Sequence, residues 1–316
     1  MRKTLPRERA SLDPFDPART LGPPASDPLV VGRMMPVHGY EGPNVFLSPE
    51  PAVDVSIVLP YYNPGERLRT TVDHALRVLT DSGMSFEMIV VSDGSTDGSP
   101  ATVDDFPVHL VKRVSLARNV GKGYALRTGF GMAQGRYVGF IDADGDISPD
   151  FIADFLSIME TQRPDIVIGS KRHPESLAEN KAVRRLYSWA HQHLVHLLFR
   201  LDVVDTQVGI KLVDRQVMVD VLPIVRERRF SFDLELLVLA GRLGYTNVVE
   251  APVRIEERAR STISLKVVRR MLVDIFCIFW RSTVRRVYEE EPTMKAFYRS
   301  VPPEAREDAD PERAVA

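Results

Sequence analysis

The sequence predicts an α/β fold, a mostly parallel sheet with helices on both faces. Three observations predict it. Val55–Leu59 and Val138–Ile141 are apolar runs of the kind found in strands buried on both faces, and Phe86–Val91 reads as a strand between them. Segments with apolar residues at helical spacing alternate with these strands, the order that builds a parallel sheet. Each strand also runs into a polar loop, and open α/β sheets bind ligands beyond the carboxyl ends of their strands.

Residues 1–52 are rich in proline (Pro23, Pro24, Pro28, Pro36, Pro43, Pro49, Pro51) and read as a mostly irregular arm touching the core near Val45–Leu47. Regular structure is expected from Val53, with one α/β domain over 53–260. The stretch Arg67–Leu79 places Leu68, Val72, Ala75, Leu76 and Leu79 on one helical face. Val108–Val111 reads as a short third strand. Tyr124–Gln134 reads as a helix opened by Gly121 and Gly123, and Pro149–Thr161 as the helix after the central strand. Asp165–Ile168 is a further strand, ending in Gly169-Ser170-Lys171. Residues 181–201 read as a basic, then apolar, helix. Phe232–Leu243 is a helix stopped by Gly244, and Thr246–Ile255 is extended. Residues 261–290 form basic amphipathic helices, and 291–316 an acidic, disordered tail.

The chain has 316 residues, enough for one large α/β domain with appendages, and a formal net charge of −2. That charge gives no pull toward nucleic acid, so contact with a polyanion or a membrane must come from a local patch. A single cysteine, Cys277, excludes an intrachain disulfide and a cysteine metal cluster, and fits a reducing compartment. The opening MRKTLPRERA lacks the apolar core of a secretory signal. No run of about 18 apolar residues suggests a spanning helix.

The chemistry concentrates in loops after strands. Tyr137–Asp150 reads YVGFIDADGDISPD, so Asp142 and Asp144 emerge together from a buried strand. Their spacing suits a divalent cation held against a diphosphate, since Mg²⁺ and Mn²⁺ take hard oxygen ligands. On these residues alone a solvated acidic loop stays open. With Pro60-Tyr61-Tyr62-Asn63 and Asp93-Gly94-Ser95, the set offers an aromatic face, a carboxylate for base or ribose, and a metal site.

These motifs resemble family-2 glycosyltransferases of the GT-A fold, in particular their polyprenyl-phosphate branch. The resemblance covers about Val53–Arg281. It is carried by VSIVLPYYN (55–63), VVSDGSTDGS (90–99), NVGKGYALRTGFGMAQG (119–135), FIDADGD (140–146), GSK (169–171), DTQVGIKLVDR (205–215), FSFDLELL (230–237) and VVEAPVRIEERARS (248–261). Ser92 stands where the family usually has an acidic residue, Glu66 is set apart from Asn63 by Pro64-Gly65, and Ser261-Thr262 replaces a Ser-Lys pair.

The resemblance implies a nucleotide pocket lined by Pro60, Tyr61, Asn63, Glu66 and Asp93. Asp142 faces the ribose or a metal-bound water, Asp144 binds Mg²⁺ or Mn²⁺ directly, and Asp146 is a further metal contact. Lys122 lies near the donor, and Lys171 meets its diphosphate. Arg184 and Ser188, four apart on one helical face, hold a lipid phosphate. Gln207 and Lys211 fall at the rim of the site. Asp233 or Glu235 orients sugar or acceptor, with capping of their helix as the alternative. The implied partners are a nucleotide diphosphate sugar (UDP-glucose ahead of GDP-mannose), a polyprenyl phosphate and a membrane surface, with room for a homo-oligomer and none for nucleic acid. The implied location is peripheral, at the cytoplasmic face of the membrane. An acceptor phosphate, with a second pKa of about 6, is already ionised at neutral pH and needs positioning more than a general base. Attack from the far side of the sugar inverts the anomeric centre.

Other features read as structure. Gly121-Lys122-Gly123 lacks the spacing of a Walker loop. His191, His193 and His196 sit among Trp189, Leu194, Leu197 and Phe199, which favours packing over metal ligation. Lys266, Arg269, Arg270, Arg281, Arg285 and Arg286 flank an apolar block, a pattern suited to a membrane interface, with packing on the core as the alternative. Two further functions stay open, the same donor chemistry on a glycan or small-molecule acceptor, and a non-catalytic membrane-associated scaffold.

Overall fold

The structure, a computed structural model, describes residues 50–170, 193–199, 201, 203, 205–254 and 265–284. Its centre is a seven-stranded sheet. In chain order the elements are β1 (Val53–Tyr61), α1 (Arg67–Asp81), β2 (Phe86–Ser92), β3 (Val111–Ser115), α2 (Lys122–Phe130), β4 (Gly135–Ile141), α3 (Phe151–Gln162) and β5 (Ile166–Ser170). There follow α4 (residues 193–199), β6 (Ile210–Asp214), α5 (Arg215–Val221), α6 (Phe232–Arg242), β7 (Val248–Pro252) and α7 (Leu265–Phe279), which continues as a π-helical turn, Trp280–Val284. The strands lie in the order β3-β2-β1-β4-β6-β5-β7, and β6 alone runs against the others.

Alternation along β1 shows how the sheet divides the core. Val55, Ile57 and Leu59 pack with Leu68 and Val72 of α1 and Ile152 and Phe155 of α3. Val58 points the other way, into a cluster with Leu126 and Phe130 of α2, Val217 of α5 and Leu236 of α6. Both faces are therefore covered, as a parallel sheet requires. A smaller cluster joins Val195 of α4, Leu234 and Val238 of α6, and Ile275 and Ile278 of α7.

Four elements differ from the sequence reading. The third strand is Val111–Ser115 rather than Val108–Val111, because VKRVS buries Val111 and Val114 while its lysine and arginine stay partly exposed. The helix read as Tyr124–Gln134 runs instead from Lys122 to Phe130, and the chain turns through Gly131–Gln134 into β4. Strand β6 and helix α5 add to the elements expected from the sequence, where Lys211 interrupts the apolar run Ile210–Val213. Most of the helix read at 181–201 lies outside the described residues, as do 1–49 and 285–316. Phe155 is buried beneath the sheet, so Phe155→Ala should cost about 3–5 kcal/mol of unfolding free energy by urea denaturation.

Candidate active site

The carboxyl ends of β1, β2 and β4 open on one edge. The loops after β1 and β2 are interlocked by hydrogen bonds. Asn63, in a left-handed conformation (φ 51°), donates its N–H to Ser95 Oγ at 3.1 Å and accepts the Thr96 N–H at Oδ1 at 2.8 Å. The Gly65 N–H donates to Asp97 Oδ2 at 2.8 Å and to Ser99 Oγ at 3.0 Å. The Ser99 hydroxyl, with the Ser99 and Gly65 amides, holds the Asp97 carboxyl below the usual carboxylate range. Tyr61 is buried beneath these loops, and burial pushes its hydroxyl pKa up despite a hydrogen bond with Ser92. Tyr62 and Glu66 are exposed, and Pro60 is buried in β1.

Asp93 closes β2 and clasps the entry to α2. Its Oδ1 accepts the Val120 N–H at 2.7 Å and its Oδ2 the Gly121 N–H at 2.9 Å. Burial raises its pKa against those two donors. The clasp fixes Gly121, and hence Lys122 at the first turn of α2.

Around Lys122 the charges alternate in sign. Its Nζ lies 2.7 and 3.0 Å from the two carboxylate oxygens of Asp142 and 3.6 Å from Asp233 Oδ2. The other oxygen of Asp233 accepts from Lys211 Nζ at 3.1 Å, and Lys211 also donates to the Val208 carbonyl at 2.9 Å. Lys211 is 1% exposed and Asp233 2%. Both ammonium groups lie over the ring of Phe140, at 4.9 and 5.2 Å from its centroid. Phe140 and Lys211 are direct cross-strand partners, so the β4–β6 register creates this stack. Burial works against the Lys122 charge, but Asp142 and Asp233 outweigh it and hold the pKa above the ordinary lysine range. For Lys211 burial prevails and lowers the pKa. Asp142 is raised by burial, in opposition to Lys122.

The remaining acidic loop is more open. The Asp142 N–H donates to the Gly209 carbonyl at 2.9 Å, and a side chain at Gly209 would strike the Asp142 carboxylate. Asp144 is exposed, with Oδ1 accepting the Asp146 N–H at 3.0 Å, and Asp146 is partly buried. Gln207 is half-buried in the turn before β6. The N-termini of α2 and α6 both meet this edge and add partial positive charge beside the two lysines. The edge thus combines fixed cations, dipole ends and one exposed carboxylate, a combination that suits a diphosphate carrying a bound cation.

Residues 56–211 match the sequence profile of glycosyl transferase family 2. The chain belongs to that family. A dolichyl-phosphate beta-glucosyltransferase of Trichomonas vaginalis is 30% identical over 248 residues, which cover 75% of each chain. Its counterpart in Drosophila melanogaster is 33% identical over 215 residues, 62% of this chain and 65% of the relative. This chain spans 62% of the Dictyostelium discoideum relative and 38% of the glycosyltransferase AglD of Haloferax volcanii, less than two thirds of their length. Among solved structures, mannosyl-3-phosphoglycerate synthase of Rubrobacter xylanophilus superposes with a TM-score of 0.60 at 18% identity, covering 76% of each chain. Glucosyl-3-phosphoglycerate synthase of Mycobacterium tuberculosis, in complex with Mn²⁺, UDP-glucose and phosphoglyceric acid, gives 0.55 at 19% identity, covering 72% of this chain and 80% of that one. These likenesses establish the GT-A fold.

Not every residue expected in the family's site gathers at this edge. Asp142, Asp144, Lys122 and Asp233 do. Lys171, Arg184 and Ser188 lie outside the described residues. Asp233 does not cap its helix, since its carboxylate is turned to the two lysines. Glu235 is fully buried and holds backbone amides of Arg226 and Glu227. Phe140 and the depth of Lys211 were missed by sequence reasoning, although a lysine set within IKLV was a visible signal. Among the described residues no three His, Cys, Asp or Glu side chains gather as a metal cage. The donor set nevertheless fits Mg²⁺ or Mn²⁺ shared with a substrate diphosphate, because such ions need only one or two protein carboxylates. Asp144 is exposed, while both oxygens of Asp142, two residues earlier, lie against Lys122.

Lys211→Met leaves Asp233 buried with only Lys122 opposite, so urea denaturation should show a loss of about 3 kcal/mol or more. A depressed folded pKa at Asp97 means that its contribution is present above the unfolded aspartate pKa of about 3.9 and is lost as pH falls through the lower folded value. The Gly65 amide resonance should therefore titrate with a midpoint below about 3.9, and should lose that transition in Asp97→Asn.

Proposed function

We propose that this chain is an inverting, metal-dependent glycosyltransferase that moves a hexose, glucose ahead of mannose, from a nucleoside diphosphate sugar to a polyprenyl phosphate. The observation that carries the reading is the exposed Asp144 beside the Lys122–Asp142 pair, at the strand ends of a family-2 fold. Relatives named as dolichyl-phosphate beta-glucosyltransferases support a lipid-phosphate acceptor and glucose.

In this reading Pro60, Asn63 and Asp93 shape the nucleotide pocket, and Tyr62 supplies the exposed aromatic face there. Asp144 holds the cation, with Asp142 behind it and Asp146 within the same loop. When bound, Mg²⁺ or Mn²⁺ supplies Lewis-acid charge to the departing diphosphate. Lys122 sits preorganised to stabilise negative charge on the leaving group, and Lys171 adds to it. Arg184 and Ser188 hold the acceptor phosphate. That phosphate carries its own charge, so the site needs no free base. Asp233, with both oxygens engaged by lysines, orients rather than deprotonates. Gln207 borders the sugar.

The membrane side of the reading lies on α7. Leu272, Val273, Phe276 and Trp280 are exposed, with Phe276 and Trp280 stacked at 6.1 Å, and Arg269 is exposed nearby. Among the described residues no helix is long and apolar enough to cross a membrane. In this reading the exposed face attaches peripherally at the cytoplasmic leaflet, with Arg269 meeting anionic headgroups.

The test is transfer from labelled UDP-glucose to polyprenyl phosphate in vesicles, with GDP-mannose and a soluble 3-phosphoglycerate acceptor as parallel arms. Wild type with Mn²⁺ should give an organic-extractable, mild-acid-labile product. Asp144→Asn should reduce the rate by about a hundredfold or more, as expected when leaving-group stabilisation is removed. Product only with the soluble acceptor would replace the lipid by a small molecule, and full activity in Asp144→Asn would overturn the metal assignment.

A further inference from the structure

Helix α7 does more than present an apolar face. Its inner side, Ile275 and Ile278, is buried against Leu234 and Val238 of α6. At the margin of that contact, polar groups of α7 and the following turn reach the segment 226–231 that precedes α6. Ser231 Oγ donates to Asp274 Oδ2 at 2.8 Å. Arg281 pairs with Glu227, and its Nη2 lies 3.4 Å from Glu235 Oε1. The second oxygen of Glu235 accepts the Arg226 N–H at 2.8 Å and the Glu227 N–H at 2.6 Å. The segment is thus held from α6 and α7 at once.

Its opposite side forms part of the donor edge. The Tyr124 N–H donates to the Arg228 carbonyl at 3.0 Å. Gly121 (φ 127°) packs so close to the Arg228 carbonyl that any side chain there would collide, and a β-carbon at Gly123 would stand 2.7 Å from the Arg229 carbonyl. Lys122 lies between these two glycines. Asp233 begins two residues beyond Ser231. A shift of 226–231 would therefore displace both partners of the Lys122–Asp233 pair, and displacements of about 1 Å can cost a hundredfold in rate.

We propose that Asp274 and Arg281 are positioning residues, through which the C-terminal helix fixes segment 226–231 and so sets Lys122 and Asp233 in register for transfer. The kinetic arm of the test rests on the transferase reading, whereas the exchange arm needs no substrate. The full chain is compared with Arg281→Gln, Arg281→Lys and Asp274→Asn by hydrogen–deuterium exchange, by co-sedimentation with phosphatidylglycerol–phosphatidylcholine vesicles, and by kcat and KM for UDP-glucose. Faster exchange in peptides covering both 226–234 and 121–125 is expected in Arg281→Gln and Asp274→Asn. Vesicle binding should be unchanged, kcat should fall by about tenfold or more, and Arg281→Lys should recover part of it. Should Arg281→Gln lose its cooperative unfolding transition, Asp274→Asn, at the edge of the contact, decides the matter. Acceleration confined to 226–234, with normal exchange at 121–125, would overturn the proposal, as would normal kcat beside faster exchange in both peptides. If wild type transfers no glucose, the functional reading fails while the exchange at 121–125 still decides this one.

Discussion

The ammonium of Lys211 is enclosed by β4, β6 and α6, where an unpaired ion would cost several kcal/mol. Asp233 meets that charge, Lys122 faces Asp233, and Asp142 faces Lys122. The series ends near Asp144, which is exposed. Each ion is made tolerable by its neighbours, so removing any one of them weakens the compensation of the next. The ring of Phe140, beneath both ammonium groups, adds a favourable quadrupole where water is excluded. The consequence for binding is geometric. The inner three charges are fixed by burial, and the freedom to take a ligand is concentrated at the outer end.

Backbone features converge on the same series. The antiparallel entry of β6 places Lys211 opposite Phe140. Gly209 lets the chain pass against the Asp142 carboxylate, which a β-carbon would obstruct. Asp93 spends both oxygens on the amides leading into α2, so the position of Lys122 is set before any ligand arrives. The preorganisation comes from the protein fold itself, the condition under which electrostatic stabilisation of a leaving group is most effective.

The sheet was readable in the sequence wherever strands are uniformly apolar, as in β1 and β4, because burial on both faces leaves no other pattern. It was unreadable at β6, where Lys211 breaks that pattern. The same residue that completes the ion series hid its own strand. The shift of β3 has a related cause, since Lys112 and Arg113 interrupt an edge strand whose two buried valines, Val111 and Val114, pack into clusters on opposite faces of the sheet. At the site, residue types were legible and directions were not. Asp142 and Asp144 announce themselves by spacing, but which of two adjacent tyrosines faces solvent depends on the pleat of β1, and it is Tyr62 rather than Tyr61. Asp233 and Glu235 looked alike in the sequence. They lie two apart in α6 and so point apart, one to the lysines and the other to the backbone of 226–227.

That divergence gives α6 its place between the two ends of the proposed reaction. Through Asp233 it touches the lysine that meets the donor charge, and through Leu234 and Val238 it seats the helix whose outer face carries Phe276 and Trp280. A prenyl chain is apolar while its phosphate is charged. An acceptor of that kind must therefore be met by an apolar surface and a cationic one at a fixed separation. In the proposed reaction, a helix bound to the core on one side, open on the other and bordered by Arg269 provides the first. The second belongs there to Arg184 and Ser188, and the contact between α6 and α7 ties the apolar face to the donor edge that carries Lys122.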